Sequence, residues 1–227
     1  MARTNPTEAL RGLYLVTPEE APHTLLPRVE QALQGGARIL QYRDKSGDAT
    51  RRLETARALK ALCADHHALF LVNDDVELAA AVAADGVHLG REDTGLEEAR
   101  AALGPEALIG VSCYDRLERA EDAAARGADY VAFGAVFPSS TKPGAVHAPL
   151  ALIREARTRL HLPIAAIGGI TPDNAAQVVH AGAHMVAVIQ GVFGASAPRT
   201  AAAHIRNAFY PSHPGHSPAP APARDAD

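Results

Sequence analysis

The sequence predicts an α/β protein made of a single-domain (β/α)8 barrel, the TIM-barrel architecture. Eight short apolar runs, rich in β-branched residues, alternate along the chain with longer stretches rich in Ala, Leu, Arg and Glu. Strands that are apolar on both faces and separated by helices pair in parallel and are covered by helices on both sides. Eight such units within the 227 residues fit the lower end of the size range of this barrel.

The predicted strands share a length of four or five residues and a continuous apolar character. In chain order they are Leu13–Thr17, Ile39–Tyr42, Leu69–Asn73, Gly86–Leu89, Leu108–Ser112, Tyr130–Phe133, Ile164–Ile167 and Met185–Ile189. The stretches between them have helical periodicity; between residues 50 and 67, for example, Leu53, Ala56 and Leu59 fall on one stripe.

A doubly wound open sheet is the alternative architecture. That fold normally has fewer strands and a glycine-rich turn after the first one. The first predicted strand instead leads through Leu15-Val16-Thr17-Pro18, which contains no glycine. The barrel is therefore the preferred prediction.

Composition divides the chain into three parts. Residues 1–10 are expected to be a flexible N terminus, residues 11–210 the barrel domain, and residues 211–227 a disordered tail rich in Pro and Ala. The tail lacks bulky apolar side chains, so burial cannot offset the entropy lost on ordering.

Charge and cysteine content exclude several classes of protein. A formal net charge of -4 does not fit a general nucleic-acid binder. The first residues lack the apolar segment of a signal peptide, and no apolar run reaches membrane-spanning length. Cys63 and Cys113 are too few for a disulfide framework. We expect a cytoplasmic protein that acts on small molecules and binds neither nucleic acid nor membrane; whether it forms a homo-oligomer stays open.

The segment Gln41-Tyr42-Arg43-Asp44-Lys45 follows the second predicted strand and has the composition of an anion site. In an extended chain, side chains two residues apart share a face, so Gln41, Arg43 and Lys45 would point the same way. Catalytic groups of a barrel lie at the carboxyl ends of its strands. Two cations and an amide at that position predict a clamp for an anionic group.

Asp74 and Asp93 follow neighbouring strands, so their carboxylates can converge. Two hard oxygen ligands suit Mg²⁺, which completes its shell with water and phosphate. The alternative for Asp74 or Asp75 is to cap the helix predicted to begin at Val76, and Asp93 could cap the next helix. Both interpretations stay open on the sequence.

A second anion site is predicted on the other side of the barrel. Gly168 and Gly169 precede Thr171-Pro172-Asp173, which is typical of a helix start, and bare backbone amides at such a point bind phosphate. Gly191, after the last strand, would leave room for the same anion. The loop Ser139-Ser140-Thr141-Lys142 adds hydroxyls and an ammonium group. Solvated loop polarity is the alternative for that loop.

His88 lies inside the fourth predicted strand. A hydrogen-bonded core histidine is the more common outcome at such a position, and a catalytic histidine is the alternative. No histidine or cysteine spacing typical of a zinc site is present.

Five motifs in this order resemble the thiamine-phosphate synthase (thiamine-phosphate pyrophosphorylase) family over roughly residues 12 to 193. They are Gln41-Tyr42-Arg43-Asp44-Lys45, Val72-Asn73-Asp74, Gly86-Val87-His88-Leu89-Gly90, Gly134-Ala135-Val136-Phe137-Pro138-Ser139-Ser140-Thr141-Lys142 and Ala166-Ile167-Gly168-Gly169-Ile170.

The resemblance implies a (β/α)8 transferase that joins a hydroxymethylpyrimidine diphosphate to a thiazole phosphate with Mg²⁺ and releases diphosphate. It assigns three groups of residues. The pyrimidine diphosphate would contact Gln41, Tyr42, Arg43, Asp44, Lys45, Asn73, Ser112 and Lys142; the thiazole phosphate would contact Ser139, Ser140, Thr141, Gly169, Ile189 and Gln190; Mg²⁺ would be held by Asp74 and Asp93.

The resemblance further implies that Arg43, Lys45 and Lys142 stabilise the departing diphosphate in a dissociative reaction. Two positions depart from the family pattern. Ser139 stands where the family usually has Thr, which keeps a hydroxyl, and Gln190 replaces a common Ser with a longer donor.

Two other functions share this barrel. A related thiazole tautomerase uses a histidine and lacks the metal carboxylates, whereas here the position after the fifth predicted strand reads Ser112-Cys113-Tyr114, without histidine, and Asp74, Asp93 and Lys142 are present. A non-catalytic barrel that binds thiamine precursors is the second alternative.

Overall fold

The computed structural model describes residues 9–90, 95–138, 144 and 146–210. The strands in this part of the chain form a closed barrel in which all neighbouring strands run parallel, and β1 pairs with β8. The strands are β1 (Gly12–Val16), β2 (Ile39–Tyr42), β3 (Leu69–Asn73), β4 (Gly86–Leu89), β5 (Leu108–Tyr114), β6 (Tyr130–Gly134), β7 (Ile164–Ile167) and β8 (Met185–Val188). The barrel prediction is confirmed, and closure excludes the open sheet.

Helices follow the strands and cover the outside of the barrel. They are α1 (Pro22–Gln34), α2 (Ala49–Asp65), α3 (Val76–Ala81), α4 (Leu96–Leu103), α5 (Leu117–Ala125), α6 (Leu150–Arg159), α7 (Ala175–His180), α8 (Gln190–Phe193) and α9 (Pro198–Asn207). None of the helices in the described ranges is both long and apolar enough to cross a membrane.

Successive residues of each strand point to opposite faces of the barrel wall and contribute to two different buried layers. The larger layer lies between the strands and the helices and includes Leu13, Leu40 and Val72. The smaller layer fills the barrel interior, with Tyr14, Ile39 and others from alternate strand positions. Inward-pointing residues are therefore the ones that can reach the mouth of the barrel, which is the rim formed by the carboxyl ends of the strands.

The barrel begins earlier than its predicted boundary at residue 11. Leu10 is fully buried and packs with the interior layer around Tyr14 and Met185. An apolar side chain at this point covers the lower end of the interior, so residue 10 belongs to the domain. Residues 1–8 and 211–227, predicted as flexible and disordered, lie outside the described residues.

Three side chains at the amino-terminal ends of the even strands each accept a hydrogen bond from the start of the preceding odd strand. The pairs are Phe70 N–H to Asp85 Oδ2 at 2.7 Å, Ile109 N–H to Asp129 Oδ2 at 2.7 Å, and Ile164 N–H to His184 Nδ1 at 3.0 Å. Each acceptor satisfies a backbone amide at the start of a strand for which the parallel sheet provides no carbonyl partner. The third acceptor is the only one of these three that loses its acceptor capacity when it gains a proton.

We expect acid to weaken the fold through His184. Burial, with the charges of Arg157 and Arg11, lowers the pKa of His184 in the folded chain. The unfolded chain then binds more protons below the ordinary pKa of about 6.5, so this contribution is complete above that pH and is lost as the pH falls further. The loss amounts to at most about 1.4 kcal/mol per pH unit.

Urea unfolding of the wild type and of His184→Asn at about pH 7.5 and about pH 5.5 measures this contribution. Asn can offer an oxygen to Ile164 N–H but does not titrate, so its free energy of unfolding should fall less between the two values. An equal fall in both proteins would contradict the assignment.

Candidate active site

The end of β2 and the end of β3 join in a row of hydrogen bonds at the mouth of the barrel. Gln41 Nε2 donates to Asn73 Oδ1 at 2.5 Å, and Asn73 Nδ2 donates to Asp74 Oδ2 at 2.5 Å. Lys45 Nζ pairs with the same Asp74 oxygen. Gln41 is nearly buried, whereas the Lys45 side chain is 51% exposed. Three residues predicted to contact the pyrimidine diphosphate and one predicted to hold Mg²⁺ are thus joined in one row of contacts.

Arg43 reaches the same rim from a fixed backbone. Arg43 N–H donates to Thr17 Oγ1 at 2.8 Å, and the Thr17 hydroxyl donates to the carbonyl oxygen of Arg43 at 3.0 Å. The Arg43 side chain is 38% exposed, and its guanidinium group pairs with Glu19 at 2.9 Å. A reciprocal pair of bonds holds the backbone while the charged end stays open to solvent, which suits a residue that must receive an anion.

Tyr42 and Asp44 point away from Gln41, toward the start of α2. The Asp44 carboxylate accepts bonds from Ser46 N–H, Arg51 Nη2 and the Tyr42 hydroxyl. Burial alone would raise the pKa of Asp44, but the bonds from Ser46, Arg51 and Tyr42 outweigh it and lower the pKa to about 2. Burial, and secondly the nearby charge of Asp44, raise the pKa of Tyr42 to about 12. These two side chains hold the shape of the segment that carries Arg43 and Lys45.

The structure separates the two aspartates after β3. Asp75 is the N-cap of α3, because its side chain accepts from Leu78 N–H at 2.8 Å. Asp74 does not cap the helix; its φ of 62° is uncommon for a residue with a side chain. Its own N–H bonds to the His88 carbonyl oxygen at 2.9 Å. The carboxylate of Asp74 therefore lies at the mouth of the barrel, with Asn73 and Lys45 as partners, and not at the helix cap.

Sequence reasoning missed a polar group inside the barrel, below this row. The Tyr14 hydroxyl lies 2.6 Å from Gln41 Oε1 and 2.8 Å from the Tyr130 hydroxyl. His88 Nδ1 lies 2.9 Å from the Tyr130 hydroxyl, and His88 Nε2 lies 2.9 Å from Ser112 Oγ. His88 is thus a hydrogen-bonded interior histidine. No local feature of the sequence distinguishes the two tyrosines from ordinary strand residues.

Room for this group comes from a glycine on β5. A Cβ atom at Gly110 would lie 2.0 Å from Cζ of Tyr130, so only glycine leaves space for the ring. The Tyr130 ring also packs against His88, with centroids 5.6 Å apart, and against Tyr14 at 6.1 Å. The interior is therefore shaped around these rings.

The opposite side of the mouth is built from backbone. Gly169 has a φ of 62°, and a Cβ there would lie 2.3 Å from the carbonyl oxygen of Pro138. The predicted helix start at Thr171-Pro172 is a hydrogen-bonded turn, in which Ala175 N–H bonds to Thr171 O at 3.0 Å, and α7 itself begins later. Asn174 fixes this turn by bonding Thr171 N–H and Gly169 O.

Ile189 and Gln190 lie directly beside that turn. Gln190 begins the short helix α8, with Ile189 as its N-cap. A Cβ at Gly191 would lie 2.3 Å from the carbonyl oxygen of Ile170, so the two backbones approach closely here. The structure therefore places the start of α8 next to the turn that follows Gly169.

Replacing Gly169 with Ala should destabilise the protein more than the same change at Gly127. Both glycines have positive φ, which costs a residue with a side chain about 1–2 kcal/mol. Among the described residues, a methyl group added at Gly127 would meet no atom within 4 Å, whereas one at Gly169 meets backbone atoms that cannot rotate away. We expect a further loss of about 1–3 kcal/mol at Gly169. Equal unfolding free energies of the two variants, measured in urea, would contradict the close approach.

Several predicted site residues cannot be placed. Asp93 lies in 91–94, and Ser139, Ser140, Thr141 and Lys142 lie in 139–143, outside the described residues. Within the described ranges, no cluster of three or more His, Cys, Asp and Glu side chains forms a metal site. Asp74 is accordingly the metal-ligand candidate that the structure describes.

Comparison with known proteins shows which family this chain belongs to. The family model described as thiamine monophosphate synthase matches residues 13–192. The chain is 58% identical over 208 residues to the thiamine-phosphate synthase of Thioalkalivibrio sulfidiphilus (strain HL-EbGR7), covering 91% of this chain and 99% of the relative. It is 60% identical over 192 residues to that of Azoarcus sp. (strain BH72), covering 84% and 93%.

Solved structures agree at the level of the fold. The thiamine phosphate pyrophosphorylase from Pyrococcus furiosus superposes with a TM-score of 0.81 at 37% identity, covering 91% of this chain and 98% of that one. A 3-hexulose-6-phosphate synthase superposes with a TM-score of 0.64 at 20% identity, covering 87% and 99%, which shows the shared barrel alone.

Proposed function

The chain belongs to the thiamine monophosphate synthase family, and on that premise we propose that it makes thiamine phosphate. It would join 4-amino-2-methyl-5-(diphosphooxymethyl)pyrimidine to a thiazole phosphate and release diphosphate. With a carboxythiazole phosphate, carbon dioxide leaves as well. The observation that carries the proposal is the contact row Gln41–Asn73–Asp74–Lys45 at the mouth of the barrel.

Binding of the pyrimidine diphosphate is proposed at this row. Lys45 and Arg43 are cations at this rim whose side chains are 51% and 38% exposed, and the planar guanidinium of Arg43 can hold a phosphate through two parallel bonds. Both cations are already paired, with Asp74 and Glu19. An incoming diphosphate can therefore replace or share these carboxylates as partners of the cations.

The reaction needs stabilisation of a leaving group. The bond between the pyrimidine methylene carbon and the diphosphate oxygen breaks, and its electron pair leaves with diphosphate. The methylene becomes cation-like, and the thiazole nitrogen donates its lone pair to form the new carbon–nitrogen bond. Arg43 and Lys45, with Lys142, would stabilise the charge that grows on the diphosphate. The reaction therefore requires no protein nucleophile.

Mg²⁺ fits the acidic side of this site. Asp74 offers a carboxylate at the mouth that the helix cap does not use, and Asp93 is proposed as its partner. When bound, the metal supplies neutralisation of the diphosphate charge. Lys45 beside Asp74 keeps that carboxylate oriented and, with Asn73, holds it in one position.

The thiazole phosphate is proposed to bind the backbone on the other side of the mouth. Gly169 and the first residues of α8 offer amides next to each other, and helix starts leave such amides without an intrahelical partner. Gln190 would add a longer donor than the Ser common in the family. Ser139, Ser140 and Thr141 are proposed to cover the same phosphate.

A paired-substrate assay tests the function. The purified chain should convert both substrates to thiamine phosphate and diphosphate in equal amounts, and omitting either substrate or adding a chelator should stop both products. Activity unaffected by the chelator would remove Asp74 from a metal role. Interconversion of thiazole tautomers without diphosphate release would indicate the tautomerase instead. Binding of the substrates without turnover would indicate the non-catalytic barrel.

A further inference from the structure

Seven polar residues form one continuous hydrogen-bond network that crosses the barrel interior, here called the interior network. Its members come from β1 to β6 or directly follow β3. In order of contact they are Asp74, Asn73, Gln41, Tyr14, Tyr130, His88 and Ser112. Every link in it is between 2.5 and 2.9 Å, so each contact needs one donor and one acceptor.

The direction of the interior network is set at its Asp74 end. An ionised carboxylate can only accept, so Asn73 must present its NH₂ group to Asp74 and its carbonyl oxygen to Gln41. Gln41 must then donate with Nε2, which turns its own Oε1 toward Tyr14. Lys45, a donor on the far side of Asp74, fixes the same choice.

Each hydroxyl has a single proton to donate, so the donor–acceptor direction set at Asp74 also determines the bonds further along the network. Tyr14 donates to Gln41, so its contact with Tyr130 must be donated by Tyr130. Tyr130 has then used its proton, so the bond to His88 must be donated by Nδ1–H. A neutral imidazole protonated at Nδ1 has a bare Nε2, which can only accept from the Ser112 hydroxyl.

Burial prevents water from offering these groups other hydrogen-bond partners. Tyr14, Tyr130 and His88 are between 0% and 8% exposed, so water does not compete for their protons. Burial also removes the water that would stabilise a charged imidazole, which favours the neutral form of the His88 ring. The tautomer of a histidine is set by what its other nitrogen bonds.

We infer that the interior network holds His88 as the Nδ1–H tautomer and thereby leaves the half-buried Ser112 hydroxyl as a pure acceptor at the mouth. Its lone pair is the partner for the exocyclic amino group of the aminopyrimidine, an identification that rests on the proposed function. His88 and Tyr130 are positioning residues in this account, because they act on the substrate only through Ser112.

Nitrogen-15 NMR of histidine-labelled protein, without substrates, reads the tautomer directly. With the His88 ring assigned through its backbone, Nδ1 should show the shift of a protonated nitrogen and Nε2 that of an unprotonated one. The opposite pattern would overturn the inference. This readout needs neither a variant nor activity, so it stands even if the proposed function fails.

Tyr130→Phe tests the coupling to Ser112. The change removes the acceptor for Nδ1–H and leaves the Tyr14–Gln41 bond in place, so Nε2–H donating to Ser112 becomes the satisfied form. The NMR pattern should reverse, and the dissociation constant of the pyrimidine diphosphate should rise about 3- to 10-fold. Tyr210→Phe, the same change at a tyrosine that is 68% exposed, should alter neither.

A double-mutant cycle separates this effect from general loosening of the barrel. In a Ser112→Ala background the acceptor is absent, so Tyr130→Phe should add no further loss of affinity. An equal loss in both backgrounds would assign Tyr130 a structural role and overturn the link to substrate. The proposal is supported if the tautomer reverses in Tyr130→Phe and the affinity losses of Tyr130→Phe and Ser112→Ala are not additive.

Discussion

Asp74→Asn should lower kcat/KM for thiamine phosphate formation by at least about 100-fold, which corresponds to about 2.7 kcal/mol of transition-state stabilisation. The amide keeps the size of the side chain but removes the charge that pairs with Lys45 and would hold Mg²⁺. It can also present an NH₂ group to Asn73, where an acceptor is required. Steady-state rates at saturating Mg²⁺ measure the loss.

The neighbouring residue supplies the control for this prediction. Asp75→Asn keeps a good N-cap for α3, although it loses the pair with Arg52. We expect kcat/KM close to that of the wild type and a loss of stability of no more than about 1 kcal/mol. Comparable activity losses at both positions would show that the Asp74 effect is not specific to the site.

Arg43→Ala should also reduce kcat/KM by at least about 100-fold, with part of the loss as a higher KM for the pyrimidine diphosphate. The guanidinium group is a planar donor at the proposed diphosphate site, and the backbone of Arg43 is fixed by Thr17. Arg43→Lys should recover only part of the activity, because an ammonium group cannot make two parallel bonds to a phosphate.

Arg159→Ala is the matched control for Arg43. Arg159 is an exposed arginine on α6 that pairs with Glu121 and Glu155. Its loss should leave kcat/KM and the KM for the pyrimidine diphosphate unchanged. If the wild type and Arg43→Ala differ by less than about threefold, the anion clamp is wrong.

The fold could be predicted from sequence because each strand is a continuous apolar run. The bounds of β2, β3, β4 and β7 agree with the predicted runs, since parallel strands buried on both faces leave few polar positions to blur their ends. β1, β6 and β8 differ from the predicted runs by one residue at one or both ends, and β5 is longer by two residues. β5 continues to Tyr114 with an irregular register against β6, a feature that no apolar pattern encodes.

The grouping of the proposed site residues at one rim was predictable where those residues are close in sequence or follow neighbouring strands. Gln41, Arg43 and Lys45 follow one strand, and β3 carries Asn73 and Asp74 to the same rim. The choice between Asp74 and Asp75 as the helix cap was not predictable, because either side chain can cap a helix. The backbone decides it, with a φ of 62° at Asp74 and an extended Asp75.

The interior network was not predictable because it depends on closure of the barrel. Tyr14 and Tyr130 are 116 residues apart and bond only because β1 and β6 face each other across the interior. Tyrosine in a strand is ordinary, and nothing local distinguishes these two. Gly110 is a comparable case. This position requires glycine because a side chain would collide with the Tyr130 ring, and that contact exists only in the folded barrel.

The most direct test is a crystal structure of this chain with Mg²⁺ and diphosphate bound. The account predicts the metal on the carboxylate of Asp74 and the diphosphate in contact with both Arg43 and Lys45. The bond between Gln41 and Asn73 should persist, because it lies on the interior side of that row. A metal bound away from Asp74, or a diphosphate that contacts neither cation, would contradict the proposed site.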